Sequence, residues 1–242
     1  MITDILISAG GKGTRMKHLS KDMPKHLLDV EGRPFLHYVL ENVMQAGFQR
    51  IYLVIGYRKE HMEKFAASHR YPVTLIDQFG EMPDKYGTAC PVMCARKYLQ
   101  GKQFASIAGD NYYSVKDLQA MRNHNDAYTY VGGLMVEHPE EKGVLVVRDG
   151  DVLEKIVEKP KEFVGNLINV SLYKFTPTVF EVIDSVGVSS RGEYEITDAI
   201  STLAKRGDVR IQKLEDSWID FGRPEDIKRM EKFLRSAKLP LA

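Results

Sequence analysis

A disulfide framework, a large net charge and long apolar runs are all missing from this chain. Two cysteines among 242 residues cannot build a disulfide framework, which suits a reducing compartment. The 34 Lys and Arg are balanced by 33 Asp and Glu, a formal charge of +1. That balance argues against a generally basic nucleic-acid binder and leaves only a local basic patch open. The longest apolar runs, such as IYLVIGY from Ile51 to Tyr57, fall far short of the ~20 residues a membrane span needs. The opening MITDILISAGG carries Asp4 where a signal peptide places basic residues, so a cytoplasmic protein is expected, with no membrane partner. The seven histidines (His18, His26, His37, His61, His69, His124, His138) form no H-E-x-x-H or comparable metal cluster. Internal repeats and low-complexity tracts are absent, which excludes a solenoid.

What the chain does have is an alternation of strand-like and helix-like segments. Ile5 to Ser8, Ile51 to Ile55, Val73 to Ile76 and Phe104 to Ala108 read as apolar strands. Pro34 to Ala46, Lys59 to Ser68 and Thr88 to Leu99 read as helices between them, the first opened by Pro34 and stopped by Gly47. Such a succession predicts a parallel sheet covered by helices. The second half is richer in strands, with Asp149-Gly150 predicting a two-residue hairpin turn. Asn166 to Phe175 is a further strand, and Ile196 to Lys205 and Glu225 to Leu234 are helices. The expected class is α/β: a Rossmann-like, three-layer mixed sheet, mostly parallel, with a smaller subregion in the second half.

The strongest local signal is SAGGKGTRMKHLSKDMPKHLLDV, from Ser8 to Val30. It follows a predicted strand, and Gly10, Gly11 and Gly13 allow backbone approach that side chains would block. Lys12, Arg15, Lys17, Lys21 and Lys25 surround a single acidic residue, Asp22. Exposed amides with clustered cations make a phosphate-binding loop. The G-x-x-x-x-G-K-[ST] pattern is absent, and Met16 stands where the dinucleotide fingerprint needs its third glycine. ATPase and dehydrogenase readings are both weakened.

The whole string resembles the signature of the sugar nucleotidyltransferases, G-G-x-G-T-R-x-x-P-L-T followed by P-K-P-L. Here it reads Gly10-Gly11-Lys12-Gly13-Thr14-Arg15, then Leu19-Ser20, then Pro24-Lys25-His26-Leu27. His18 and His26 replace two of the pattern's three prolines, and Pro24 keeps the other. The resemblance continues in order through Gln78, Gly87-Thr88-Ala89, Gly109-Asp110-Asn111, Gly143-Val144, Glu158-Lys159-Pro160, Asn169, EYEITDAI from Glu193 to Ile200, and Trp218 to Asp226. Val170-Ser171 stands where the family carries Ala-Gly. The resemblance covers residues 1 to about 235. A single catalytic domain over 1–242 is expected, without the β-helical acyltransferase domain of some relatives. About 1–125 would form its nucleotide-binding half and about 126–242 its sugar-binding and metal-completing half.

The resemblance implies that a sugar 1-phosphate attacks the α-phosphorus of a nucleoside triphosphate and releases pyrophosphate. The attacking phosphate oxygen is already anionic near neutral pH, since its second pKa is about 6, so no general base is required. Charge neutralisation and positioning should carry the rate. Arg15 would hold the departing pyrophosphate, Lys25 the α-phosphate and Lys159 the sugar phosphate. Asp110 and Asp220 would hold Mg²⁺, an ion that keeps few protein ligands. Ala9, Gly10, Gly11, Gly13, Thr14, Gln78, Gly87, Thr88 and Asp110 would bind the nucleotide, and Gly143, Glu158, Lys159 and Asn169 the sugar. Asp216 and Asp226 are expected as ordinary surface or capping residues.

The amide of Gln78 can offer donor and acceptor to a pyrimidine edge, so UTP or dTTP with glucose 1-phosphate is favoured. GTP with mannose 1-phosphate, or CTP with another phosphorylated small molecule, keeps the same chemistry. A different class of reading is a non-catalytic sugar-nucleotide sensor. A homo-oligomer is an expectation from the resemblance alone. Cys90 and Cys94 are expected to be buried small apolar side chains rather than metal ligands.

Overall fold

The computed structural model describes residues 1–237. The strands are β1 (Asp4–Ser8), β2 (Asp29–Val30), β3 (Arg33–Pro34), β4 (Arg50–Ile55), β5 (Val73–Asp77), β6 (Phe104–Ala108), β7 (Asn111–Tyr113), β8 (Thr129–Met135), β9 (Gly143–Arg148), β10 (Val152–Glu158), β11 (Leu167–Phe175), β12 (Val209–Lys213) and β13 (Trp218–Asp220). Nine of them form one sheet in the order β5-β4-β1-β6-β11-β8-β12-β10-β9. β2 with β3, and β7 with β13, make two-stranded ribbons.

Side chains alternate across this sheet as a pleat requires. Ile5, Ile7, Ile51, Leu53 and Ile55 enter one core with the helices Phe35–Gln45, Val115–Asn123 and Glu225–Ser236. Leu6, Tyr52 and Val54 enter the other, with the helix Ile196–Lys205 and the short helices between Cys90 and Leu99. Two apolar faces, each roofed by helices, give the expected three layers. Each fully buried Leu or Ile there contributes about 1.5–3 kcal/mol.

The parallel character belongs to part of the sheet. β5-β4-β1-β6 are parallel, as is β12 with β8. β11 runs antiparallel to β6 and β8, and β10 to β9 and β12. The mixed half therefore begins at β11, which zips the second half of the chain onto the first without a separate sheet.

Most expected elements lie where the sequence puts them. Asp149 and Gly150 take φ of 50° and 86°, the paired positive angles of the expected hairpin turn. The helix expected over Thr88 to Leu99 is two pieces, Cys90–Cys94 and Arg96–Leu99. Ala95 between them has ψ of −1°, which interrupts the ladder. Cys90 and Cys94 are buried and free, and burial raises both thiol pKa values, that of Cys94 to about 12. They pack as apolar groups and are not activated thiols.

Candidate functional site

At the carboxyl ends of β1 and β6 the chain leaves the sheet in two loops. β1 runs into Ala9 and Gly10, both buried, and β6 into Gly109-Asp110. Gly109 N donates to Ser8 O at 2.8 Å, so the two loops leave side by side. This edge is where ligands of open α/β sheets bind.

The glycine loop is more ordered than a plain loop. Gly13 (φ 65°) opens a 3₁₀ segment, Thr14–Ser20, and Ser20 Oγ donates back to Gly13 O at 2.8 Å. The Lys25 side chain runs along Gly13, with carbons 3.3 Å from where a Cβ would stand. A side chain at position 13 would therefore both strain the left-handed backbone and press on Lys25. Lys25 lies in the second short 3₁₀ turn, Lys25–Leu27, and donates to Asp110 Oδ2 in a short charge-assisted pair.

Asp220 reaches the same place through the β7–β13 ribbon. Its partner across the ribbon is Asn111, and Phe221 N donates to Asp110 O at 2.8 Å. Phe221 is anchored by stacking on Phe35, ring centroids 4.1 Å apart. Asp220 accepts from Lys142 Nζ, at the start of β9. Gly222 lies against both partners of this cluster: a Cβ there would be 3.0 Å from Asp220 Oδ1 and 3.2 Å from Arg15 Cζ. Two lysines, one arginine and two carboxylates thus meet at the cleft.

Their electrostatics are strongly coupled. Burial pushes the Asp110 carboxyl up, but Lys25, His26 and Arg15 outweigh it and bring its pKa to about 2. His26 beside it is held neutral, its pKa lowered to about 3 by burial and by the Lys25 charge. The two carboxylates are hard oxygen donors, the set a magnesium ion takes while keeping water and phosphate ligands. Among the described residues no group of three or more His, Cys, Asp or Glu gathers as an all-protein metal cage. The donor set fits a metal shared with phosphates.

The nucleotide candidates line the loop's other side. Gln78, 3% exposed, starts the short helix Gln78–Glu81, and a Cβ on Gly10 would sit 3.0 Å from its Oε1. Gln78 therefore stands directly over the glycine loop. Gly87 has φ of 140°, and a Cβ there would meet the backbone of Tyr194 at 2.3 Å. The segment from Tyr86 to Ala89 pairs with Tyr194: Tyr194 N donates to Tyr86 O and Ala89 N to Tyr194 O, each at 2.9 Å. Thr88 is engaged within the chain itself. Its hydroxyl donates to Glu195 Oε2 at 3.2 Å and accepts from Ile196 N at 2.9 Å, locking the EYEITDAI segment to the loop. Thr14 is exposed at the start of the 3₁₀ segment, and Gly11 is partly open beside the Tyr86 hydroxyl.

The sugar candidates converge on β9, β10 and β11. Gly143 pairs with Glu158 across β9–β10, and a Cβ on Gly143 would sit 2.9 Å from Glu158 Oε1. Desolvation raises the Glu158 carboxyl, with Arg191 opposing and Glu195 adding to it. Lys159 is exposed, and its N–H donates to Lys142 O at 3.0 Å. Asn169 Nδ2 donates to the Tyr173 hydroxyl at 2.9 Å, and its Oδ1 accepts from Ser171 N at 3.0 Å. Ser171 adopts φ of 57° inside the β11 irregularity, the left-handed geometry for which glycine is the unstrained choice. The Val170-Ser171 backbone is held from behind, since the Tyr113 hydroxyl donates to Val170 O and Ser171 O.

Asp226 caps the turn before the last helix, accepting from Gly222 N and Arg223 N at 2.9 and 2.7 Å, and Asp216 accepts from Ser217 N, as ordinary capping residues do. Lys142 was not among the sequence candidates. It stands beside Gly143 in no recognisable motif, and 78 residues separate it from Asp220.

The fold and the clustered cleft define a nucleotidyltransferase, and the chain belongs to the nucleotidyl transferase family, whose model matches residues 5–237. It is 35% identical over 231 residues to the bifunctional protein GlmU of Methanocaldococcus jannaschii, covering 96% of this chain and 54% of that protein. It is 29% identical over 237 residues to the UTP–glucose-1-phosphate uridylyltransferase AglF of Haloferax volcanii, covering 95% of this chain and 96% of that one. The chain spans about half the length of the GlmU relatives it matches. In fold it is similar to a UDP-glucose pyrophosphorylase complexed with UDP-glucose, TM-score 0.82 at 22% identity, covering 98% of this chain and 100% of that one.

Proposed function

We propose that this chain transfers a nucleoside monophosphate from UTP or dTTP to a hexose 1-phosphate, with glucose 1-phosphate the first candidate, and releases pyrophosphate. The observation that carries the proposal is the pairing of Lys25 with Asp110 and Lys142 with Asp220 beside Arg15, at the sheet edge where the glycine loop begins. Phosphoryl chemistry between two anions needs such a concentration of cations. Gln78 over Gly10 supports a pyrimidine base, and Glu158 and Asn169 supply hydroxyl partners on the sugar side.

Asp110 and Asp220 would hold the magnesium ion, which supplies Lewis-acid neutralisation of the phosphate oxygens. Arg15 neutralises the departing pyrophosphate through its planar fork. Lys25 and Lys159 hold the α-phosphate and the sugar phosphate in line. No side chain has to take a proton from the attacking phosphate. Two free, buried cysteines support a cytoplasmic setting.

The test crosses UTP, dTTP, CTP, GTP and ATP against a panel of sugar 1-phosphates with Mg²⁺ and follows pyrophosphate release. Release with a pyrimidine triphosphate and a hexose 1-phosphate supports the proposal. Tight binding of a nucleotide sugar without release under any pairing would favour a sensor and refute it.

A further inference from the structure

Lys142 adds to the cations at this cleft, but no motif marks it and the proposed chemistry gives it no contact of its own. Its ammonium group donates to Asp220 Oδ2 and lies 5.3 Å from the centre of the Trp218 ring. It is therefore held from two sides by the strand that carries Asp220. Its backbone belongs to the other side of the cleft: Lys142 O accepts from Lys159 N, and the next residue, Gly143, pairs with Glu158. Its side chain is 32% exposed and that of Asp220 20%, so both reach the open cleft. The residue spans from the sugar-side strands to the carboxylate proposed for the metal.

One carboxylate oxygen cannot serve an ammonium at hydrogen-bond distance and a divalent cation at coordination distance with full strength to both. The two cations repel, and the ammonium occupies part of the oxygen's coordination sphere. We propose that Lys142 is a positioning residue, an exchangeable counter-cation on Asp220. It neutralises the carboxylate until the divalent cation takes it, and the released ammonium then faces the phosphate of the sugar substrate. This rests on the proposed function, through the roles given to Asp220 and the sugar phosphate. The device makes metal entry and anion capture two halves of one exchange.

The experiment is a Mn²⁺ titration of the nucleotide-free protein, read by the electron paramagnetic resonance signal of free Mn²⁺. Wild type, Lys142→Met, Lys142→Arg and Asp220→Asn are compared. Removing the competing ammonium should tighten Mn²⁺ binding about 5-fold or more in Lys142→Met. Lys142→Arg, which keeps the charge, should bind as the wild type does. A side chain that merely packs on Trp218 would give no such gain. In the sugar 1-phosphate assay, Lys142→Met should raise KM for the sugar phosphate about 10-fold with a smaller change in kcat. Equal Mn²⁺ affinity in wild type and Lys142→Met would overturn the exchange while leaving the proposed reaction standing. Wild-type Mn²⁺ affinity in Asp220→Asn would place the metal elsewhere and overturn both the exchange and the metal role given to Asp220. Should Lys142→Met not fold, Lys142→Gln makes the same comparison.

Discussion

The two ends of the central sheet use charge in opposite ways. At the amino ends of the parallel strands, Asp4 is buried and accepts from Arg50 Nε at 2.7 Å and from the Thr3 hydroxyl at 2.9 Å, with Lys102 nearby. Lys174 in β11, fully buried, donates to the carbonyls of Asp126 and Tyr128 at 2.7 and 2.6 Å and lies 3.4 Å from the Asp126 carboxylate. Backbone and side chain saturate these charges, and nothing is left to offer a ligand. At the carboxyl ends, Lys25 and Lys142 are matched by one carboxylate each, and Arg15 lies exposed against Gly222. Burial alone does not mark a functional charge. A charge whose partner is another charge in an open cleft can exchange that partner, whereas one sewn into backbone carbonyls cannot.

The largest break in this comparison should come from Arg15. Arg15→Ala should lower kcat ~10²-fold or more, by analogy with other lost transition-state donors, while the melting temperature stays near that of wild type. Retained turnover would remove Arg15 from the reaction. Next is Gln78→Glu, which loses the amide donor and places a carboxylate above Gly10. It should raise KM for the preferred triphosphate about 10-fold or more, read in the same pyrophosphate assay against all five triphosphates. An unchanged base preference would contradict base reading by this residue.

At the other end, Lys174→Met should cost about 2–4 kcal/mol of stability in urea, because the carbonyls of Asp126 and Tyr128 lose their donor, with kcat at 25 °C little changed. A large loss of turnover in folded protein would erase the contrast between the two ends. The smallest effect sharpens it further. Burial pushes the Asp4 carboxyl up, but hydrogen bonds from Arg50 and Thr3 and the Lys102 charge win, so its pKa lies below the ordinary 3.8. A carboxyl lowered by folding stabilises the protein above the unfolded value, and the stabilisation drains away as pH falls from there through the folded value. Asp4→Asn should therefore flatten the acid limb of stability below about pH 4, while the neutral-pH activity profile keeps its shape. An unaltered acid limb would show that the pairing contributes nothing.

Local order was legible in the sequence wherever one residue's chemistry settles the backbone. Asp149-Gly150 turns because both positions tolerate positive φ, and Ile196–Lys205 is a helix because Ile196, Ala199, Ile200 and Leu203 share a buried face. Less legible was the 3₁₀ path of Thr14–Ser20, in which Lys17 takes φ of 56° without being glycine. The break at Ala95 and the short strands β2, β3 and β7 carry too few residues for a period to show. In the site, the glycine loop, Lys25, Asp110 and Asp220 were visible through a motif. The Lys142–Asp220 pair and the lock of Thr88 on Glu195 join residues far apart in the chain, and no spacing announces them.

The most direct test is pyrophosphate release by Asp110→Asn beside wild type, with saturating Mg²⁺, UTP and glucose 1-phosphate, together with their thermal melts. Asp110 joins Lys25, Arg15 and the carboxyl-edge loop, so the account predicts turnover reduced ~10²-fold or more with the melting transition preserved. Turnover at the wild-type level in a folded Asp110→Asn would contradict it and move the chemistry away from this end of the sheet.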